Sequence, residues 1–163
     1  MRTFIAALVL SAGSVASVTS AYAGEVLVKF ADPAGFADFG FGALERERNQ
    51  AELAAFIQSL AGRFPTSQAL KIEILDVNLA GEEDPLWRRG QGARILRDVT
   101  IPRIQLRYEW REGSQVLGGG TVDLKDLNYL YARGDSLKGA TLEHEKRLLE
   151  RWFQATFVAS GRR

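Results

Sequence analysis

The fold class this chain predicts is α+β, with a single, mostly antiparallel sheet of about four strands and two helices packed on one of its faces. Three observations lead there. Short alternating or apolar runs bounded by Gly, Pro and Asp mark strands. Two stretches with apolar residues at three- and four-residue steps mark helices. Their order along the chain is strand, helix, strand, strand, strand, helix.

The first strand is Glu25-Val-Leu-Val-Lys-Phe30, stopped by Asp32-Pro33 and Gly35, and a loop carrying Phe36, Asp38, Phe39 and Phe41 follows. From about Gly42 to Arg63 the pattern is helical, with Leu53, Phe56, Ile57, Leu60 and Phe64 forming the stripe. Gly62 and Pro65 end it. The second strand is Ala69 to Leu79. Leu70, Ile72 and Ile74 share one face, but Leu75, Val77 and Leu79 fall on the other. Burial on both faces or a bulge near Leu75 would reconcile them. Ala80 to Ala93 has no period and reads as a long loop.

Ile101 to Arg111 is the clearest strand, with Ile104, Leu106, Tyr108 and Trp110 on one face and Arg103, Gln105, Arg107, Glu109 and Arg111 on the other. The next strand is Gln115 to Leu124. A Glu112-Gly113 turn would place Val116 and Val122 on the polar face. A three-residue turn, Glu112 to Ser114, pairs Trp110 with Val116, Tyr108 with Gly118, Leu106 with Gly120 and Ile104 with Val122, and sets Arg103 opposite Asp123. The three-residue turn is therefore expected. A last helix runs from about Leu142 to Val158, its stripe Leu142, Leu148, Leu149, Trp152, Phe153 and Phe157. Glu143–Arg147 and Lys146–Glu150 are expected as four-residue ion pairs on its wet side.

The first 23 residues are read separately. Arg2 precedes the apolar run Phe4 to Leu10, and small residues lead to Ala21-Tyr-Ala23. A basic start, an apolar run too short to span a bilayer and an Ala-x-Ala site predict a secretory signal peptide cleaved after Ala23. Residues 24–163 then form a single domain, expected in the periplasm with no transmembrane segment after cleavage. The chain has no cysteine, which excludes disulfides, thiolate metal sites, cysteine nucleophiles and lipid attachment after the leader. Its 21 Lys and Arg against 20 Asp and Glu leave a net charge of +1. That residual charge is lost with Arg2, so no global field attracts nucleic acid.

No catalytic constellation emerges. His144 is the lone histidine and reads as a surface residue of the last helix, without the partners a zinc site needs. Asp76-Val-Asn-Leu-Ala-Gly-Glu82 has the start of a calcium loop, but Ala80 and Trp87 occupy ligand positions. Asp76 and Glu82 are thus an incomplete metal set. Ser114 lacks a nucleophile elbow, and Gly118-Gly-Gly120 lacks the lysine of a phosphate loop. Those glycines read instead as close packing against Leu106 and Tyr108. Asp76, Glu82 and Asp98 are the carboxylates a hydrolase would need.

Two surfaces stand out as binding candidates. One is the loop around Trp87, Arg88 and Arg89, side-chain types enriched at binding hot spots. The other is the stripe Arg103, Arg107 and Arg111, which suits an acidic ligand but lacks the interleaved aromatics of a nucleic-acid platform.

Several segments carry a family resemblance together: Lys29-Phe30-x-Asp32-Pro33 with Phe36-x-Asp38; Leu70-x-Ile-x-Ile-x-Asp76-Val-Asn78-Leu-Ala-Gly81-Glu82-x-x-Pro85; Arg94-Ile-x-x-Asp98; Pro102-Arg-Ile-x-Leu-x-Tyr108; Leu124-x-Asp126-x-x-Tyr129; and Glu145-Lys146-x-x-Leu149-x-x-Trp152-Phe153. With them the chain resembles domain-of-unknown-function family 3016, a family of exported proteobacterial proteins. Asn78 departs from the acidic residue expected at that position. The resemblance implies an exported single-domain protein and supplies no activity, substrate or cofactor.

The functional expectation is a non-catalytic binding or accessory module of the cell envelope, with no cofactor. Its partner is expected to be an envelope protein or an acidic ligand. A carboxylate-based or cation-dependent hydrolase and a carrier of a small apolar ligand are the alternatives.

Overall fold

The computed structural model describes residues 25–63, 67–84, 94–131 and 137–158. Trp87, Arg88 and Arg89, the leader and Phe64 lie outside the described residues. Four strands form the main sheet: β1 (Glu25–Phe30), β2 (Gln68–Asn78), β5 (Arg103–Glu112) and β6 (Gln115–Lys125), in the spatial order β1-β2-β5-β6. Helix α1 (Ala43–Ser59), extended by a 3₁₀ turn at Leu60–Arg63, joins β1 to β2. A helical crossover returns the chain to the end where it began, so β1 and β2 pair in parallel. The β2–β5 and β5–β6 pairs are antiparallel. The sheet is therefore mixed, with two of its three strand pairs antiparallel, in keeping with the mostly antiparallel expectation. Strand, helix, strand, strand, strand, helix is its order once a short ribbon, β3 (Glu82–Glu83) and β4 (Arg94–Ile95), is set aside. The ribbon falls where the sequence, lacking any period, reads as loop.

The face switch in β2 is a bulge. Ile74 pairs with Leu106 and Asp76 with Gln105, leaving Leu75 as the extra residue. Val77 and Leu79 thereby join Leu70, Ile72 and Ile74 in the core, while Asp76 stays on the open face near Arg103.

The β5–β6 hairpin differs from its expected register. Glu112 pairs with Gln115 around a two-residue Gly113-Ser114 turn, with Gly113 at φ 56°. Leu117 is then bulged out, so Trp110 meets Gly118, Tyr108 meets Gly120, Leu106 meets Val122 and Ile104 meets Leu124. One extra residue reconciles a tight turn with an apolar face, a solution that counting an unbroken ladder misses. Gly119 is needed for close approach, because a Cβ there would lie 3.0 Å from the Tyr108 carbonyl oxygen.

Both helices contribute to one core. Leu53, Ile57 and Leu60 from the first meet Leu149, Trp152, Phe153 and Phe157 from the end of the chain, over the apolar face of the sheet. Helix α2 spans Glu143–Phe153 and widens into a π-helical turn at Gln154–Val158. That turn sets the Phe157 ring edge-on to Tyr108, Trp110 and Trp152, at centroid distances of 5.7, 5.3 and 5.2 Å.

The wet side expected for α2 is not wet. Lys146 and Arg147 are buried, Lys146 where its ammonium meets Glu52 and the Phe56 ring of α1. Lys146 pairs with Glu52 of α1 rather than with Glu150, and its ammonium lies 5.8 Å from the Phe56 ring centroid. Glu150 pairs instead with Arg63 at 2.9 Å. The Glu143–Arg147 pair forms as expected, at 2.9 Å. His144, read as a surface residue, is half-buried with its ring edge-on to Tyr129 at 4.8 Å.

Candidate functional site

Chemistry-bearing side chains converge at the corner where β2 ends and the ribbon begins. The loop after β1 is tied to that corner by its backbone: Asp38 N–H donates to Val77 O, and Leu79 N–H donates to Asp38 O. Phe39 anchors the loop in the core, and the buried Asn49 side chain of α1 donates to its carbonyl at 3.0 Å. These contacts hold the Asp38 carboxylate facing the ribbon. There the Arg94 guanidinium donates to it, and also to the carbonyls of Ala80 at 2.8 Å and Gly81 at 2.7 Å.

From the other side, Glu145 on α2 accepts the Ala80 N–H at 2.7 Å. Burial raises the Glu145 carboxyl above its ordinary value, against the opposing Ala80 hydrogen bond and the charges of His144 and Arg94. Glu83 is also raised, first by burial and then by the neighbouring carboxylate of Glu45. Gly81 completes the corner. It has φ 76°, and a Cβ there would lie 2.6 Å from the Ile95 carbonyl oxygen, so only glycine fits.

Together these contacts form a clamp. Arg94 spends its donors on two carbonyls and a carboxylate. What the clamp controls is the ribbon, in which Glu82 pairs with Ile95 and Glu83 with Arg94. Residues 85–93, with Trp87, Arg88 and Arg89, connect those two strands. Near the same corner two large apolar side chains are exposed, Phe41 just before α1 at 78% and Leu44 in its first turn at 71%. Glu45, in that turn, is close enough to Glu83 to shift it.

The arginine stripe lies on the open face of the sheet, and carboxylates meet it there. Arg103 Nε donates to Asp123 at 2.7 Å and its Nη1 to Asp76 at 3.3 Å, although the Cα partner of Asp123 is Gln105. Arg107 pairs with Glu73 at 3.1 Å and Arg111 with Glu109 at 2.6 Å. The hydrogen bond from Arg103 holds the Asp123 carboxyl below its ordinary value.

The carboxylates of the hydrolase alternative do not converge. Asp76 accepts the Ala37 N–H at 2.8 Å and pairs with Arg103, Glu82 pairs with Arg97, and Asp98 stands exposed in a turn. Among the described residues, no three His, Asp or Glu side chains gather as metal ligands would.

The residues that build the clamp, Asp38, Arg94 and Glu145, were missed as a site in the sequence. A signal was there for Glu145: it lies three residues after Leu142 and four before Leu149, on the apolar stripe itself. Asp38 and Arg94 carry no such signal, because loop and ribbon meet only through long-range packing.

A family model described as "Protein of unknown function (DUF3016)" matches residues 24–155. No curated protein matches the chain.

Proposed function

The chain belongs to the DUF3016 family, whose function is unknown, and from that premise we propose that it is an exported, non-catalytic binding module of the cell envelope. The observation that carries this reading is the clamp at Ala80–Gly81. Ion pair, guanidinium–carbonyl bonds and a buried carboxylate are all spent on fixing the stem from which residues 85–93 emerge. A rigid stem lowers the entropy lost when the residues it carries engage a partner. Trp87, Arg88 and Arg89 are the side chains we assign to recognition, with the exposed Phe41 and Leu44 adding apolar contact. Arg103 and Arg107 form the secondary surface, for an acidic ligand.

Export is supported by the leader-like residues 1–23 and by a family match that starts at residue 24. We place the processed protein in the periplasm. Among the described residues no helix is long and apolar enough to cross a membrane.

In-cell photo-crosslinking from position 87 tests the reading, with Gln58 on the exposed side of α1 as control site. A discrete adduct from position 87 alone is expected. Equal adducts from both positions, or none from a folded and processed protein, would remove the loop from the proposal. Cell fractionation with N-terminal sequencing checks export separately: the expected product starts at Gly24 in the periplasmic fraction.

A further inference from the structure

A second surface lies two strands away from β2, at the β6 edge. β6 closes the sheet order, and among the described residues no strand pairs with its outer side. An unpaired edge presents a row of main-chain donors and acceptors, ready to bind another extended chain. The bulge at Leu117 bends the start of the strand, but Gly118 to Lys125 runs on regularly paired to β5, with Gly119, Gly120, Thr121 and Asp123 exposed. Beside its far end, a groove of about 520 Å³ opens between the strand and α2. Leu124, Leu127, Leu148 and Trp152 line it, and Leu127 is 72% exposed.

The groove carries a charge preference. Asp126 is buried and engaged at both oxygens: one accepts the Asn128 N–H at 3.0 Å and the other accepts Arg151 Nη2 at 2.7 Å. Arg151 is not saturated. Its side chain is 52% exposed, and Nε and Nη1 have no partner among the described residues. The rim therefore offers donors to an incoming group and no free carboxylate.

We propose that the β6 edge accepts an extended segment of a partner protein as a fifth strand, with apolar side chains entering the groove and a carboxylate meeting Arg151. Main-chain bonds to Gly118–Lys125 supply affinity, and the groove reads alternate side chains. A second copy of this chain fits less well. Antiparallel β6–β6 pairing would present Gly118, Gly120, Val122 and Leu124 on the groove side, none of them acidic. Its Asp123 lies on the other face, held by Arg103 and Lys125.

The test uses the purified full chain and a fluorescein-labelled peptide, Ser-Val-Thr-Glu-Thr-Val-Ser, which places Val, Glu and Val on one face. Saturable binding by anisotropy is expected, with slowed amide exchange confined to Gly118–Lys125. Replacing the peptide Glu by Lys, or introducing Arg151→Glu, should weaken binding at least about tenfold. Leu127→Asp, at an exposed position that leaves folding intact, should weaken it similarly. N-methylation of alternate peptide nitrogens should abolish it. The proposal is overturned by no saturable binding at millimolar peptide, by protection elsewhere, or by equal affinity of the N-methylated peptide. Protection of β6 that grows with protein concentration alone, with sedimentation as a dimer, would overturn it in favour of self-association.

Discussion

Arg94 and Glu145 show how much of this fold rests on single polar side chains. Arg94, largely buried, satisfies two carbonyls and the Asp38 carboxylate at once. Truncation orphans all three groups, so Arg94→Ala is expected to cost about 2–4 kcal/mol in urea unfolding. Arg94→Lys should recover only part of that, since an ammonium cannot reproduce the guanidinium fork. At Gly81, Ala would meet both a positive φ and the Ile95 carbonyl, and a loss of at least about 2 kcal/mol is expected by the same measurement. Glu145 makes a pH prediction. Its folded carboxyl is raised above the ordinary 4.5 by burial, so between the unfolded and folded values the native state holds the extra proton. The associated stability is fully present below about 4.5 and is lost as pH rises through the folded value. Glu145→Gln keeps an acceptor for Ala80 N–H and cannot ionise. Urea midpoints from about pH 4 to about 8 should therefore show the native chain losing stability relative to this variant as pH rises.

Bulges decide what the strands present. Without the extra residue at Leu75, alternation in β2 would run unbroken from Ile74 through Asp76 to Val77, each on its present face. Deleting Leu75 should thus leave a folded domain, while deleting Lys71 puts Leu70 and Ile72 on opposite faces. Thermal unfolding by circular dichroism distinguishes the two: a drop of about 10 °C or less for the first, and loss of the cooperative transition for the second. The same reasoning explains why the hairpin register was half legible. Alternation along Ile104–Trp110 named the core face correctly. The bulge at Leu117 that keeps β6 on that face depends on a cross-strand fit that one strand's pattern does not encode. The β3–β4 ribbon was illegible for a related reason, since two residues per strand are too few to show a period.

One core spans the sheet and both helices, so damage in either helix should be felt everywhere. Leu53→Ala in α1 is expected to cost about 2–5 kcal/mol and Phe153→Ala in α2 about 3–5 kcal/mol. In both variants the far-ultraviolet circular dichroism and tryptophan fluorescence transitions should coincide, as they do when a single cooperative unit unfolds. The buried charges on α2 follow from the same packing. Lys146 lies beneath α1 with its partner Glu52, so Lys146→Met should be nearly neutral where Lys146→Ala is not.

Periodicity and punctuation are local, and they alone determined the order of the long elements, the core face of each long strand and the helical stripes, and they narrowed β2 to burial on both faces or a bulge near Leu75. Each of those features is written within a few consecutive turns or pleats of one element. Tertiary structure decided the parallel pairing of β1, the burial of Lys146 and Arg147, and the meeting of Asp38, Arg94 and Glu145 at one corner. Those depend on which elements become neighbours, and a charged side chain carries no mark of whether its neighbour will be water or another helix.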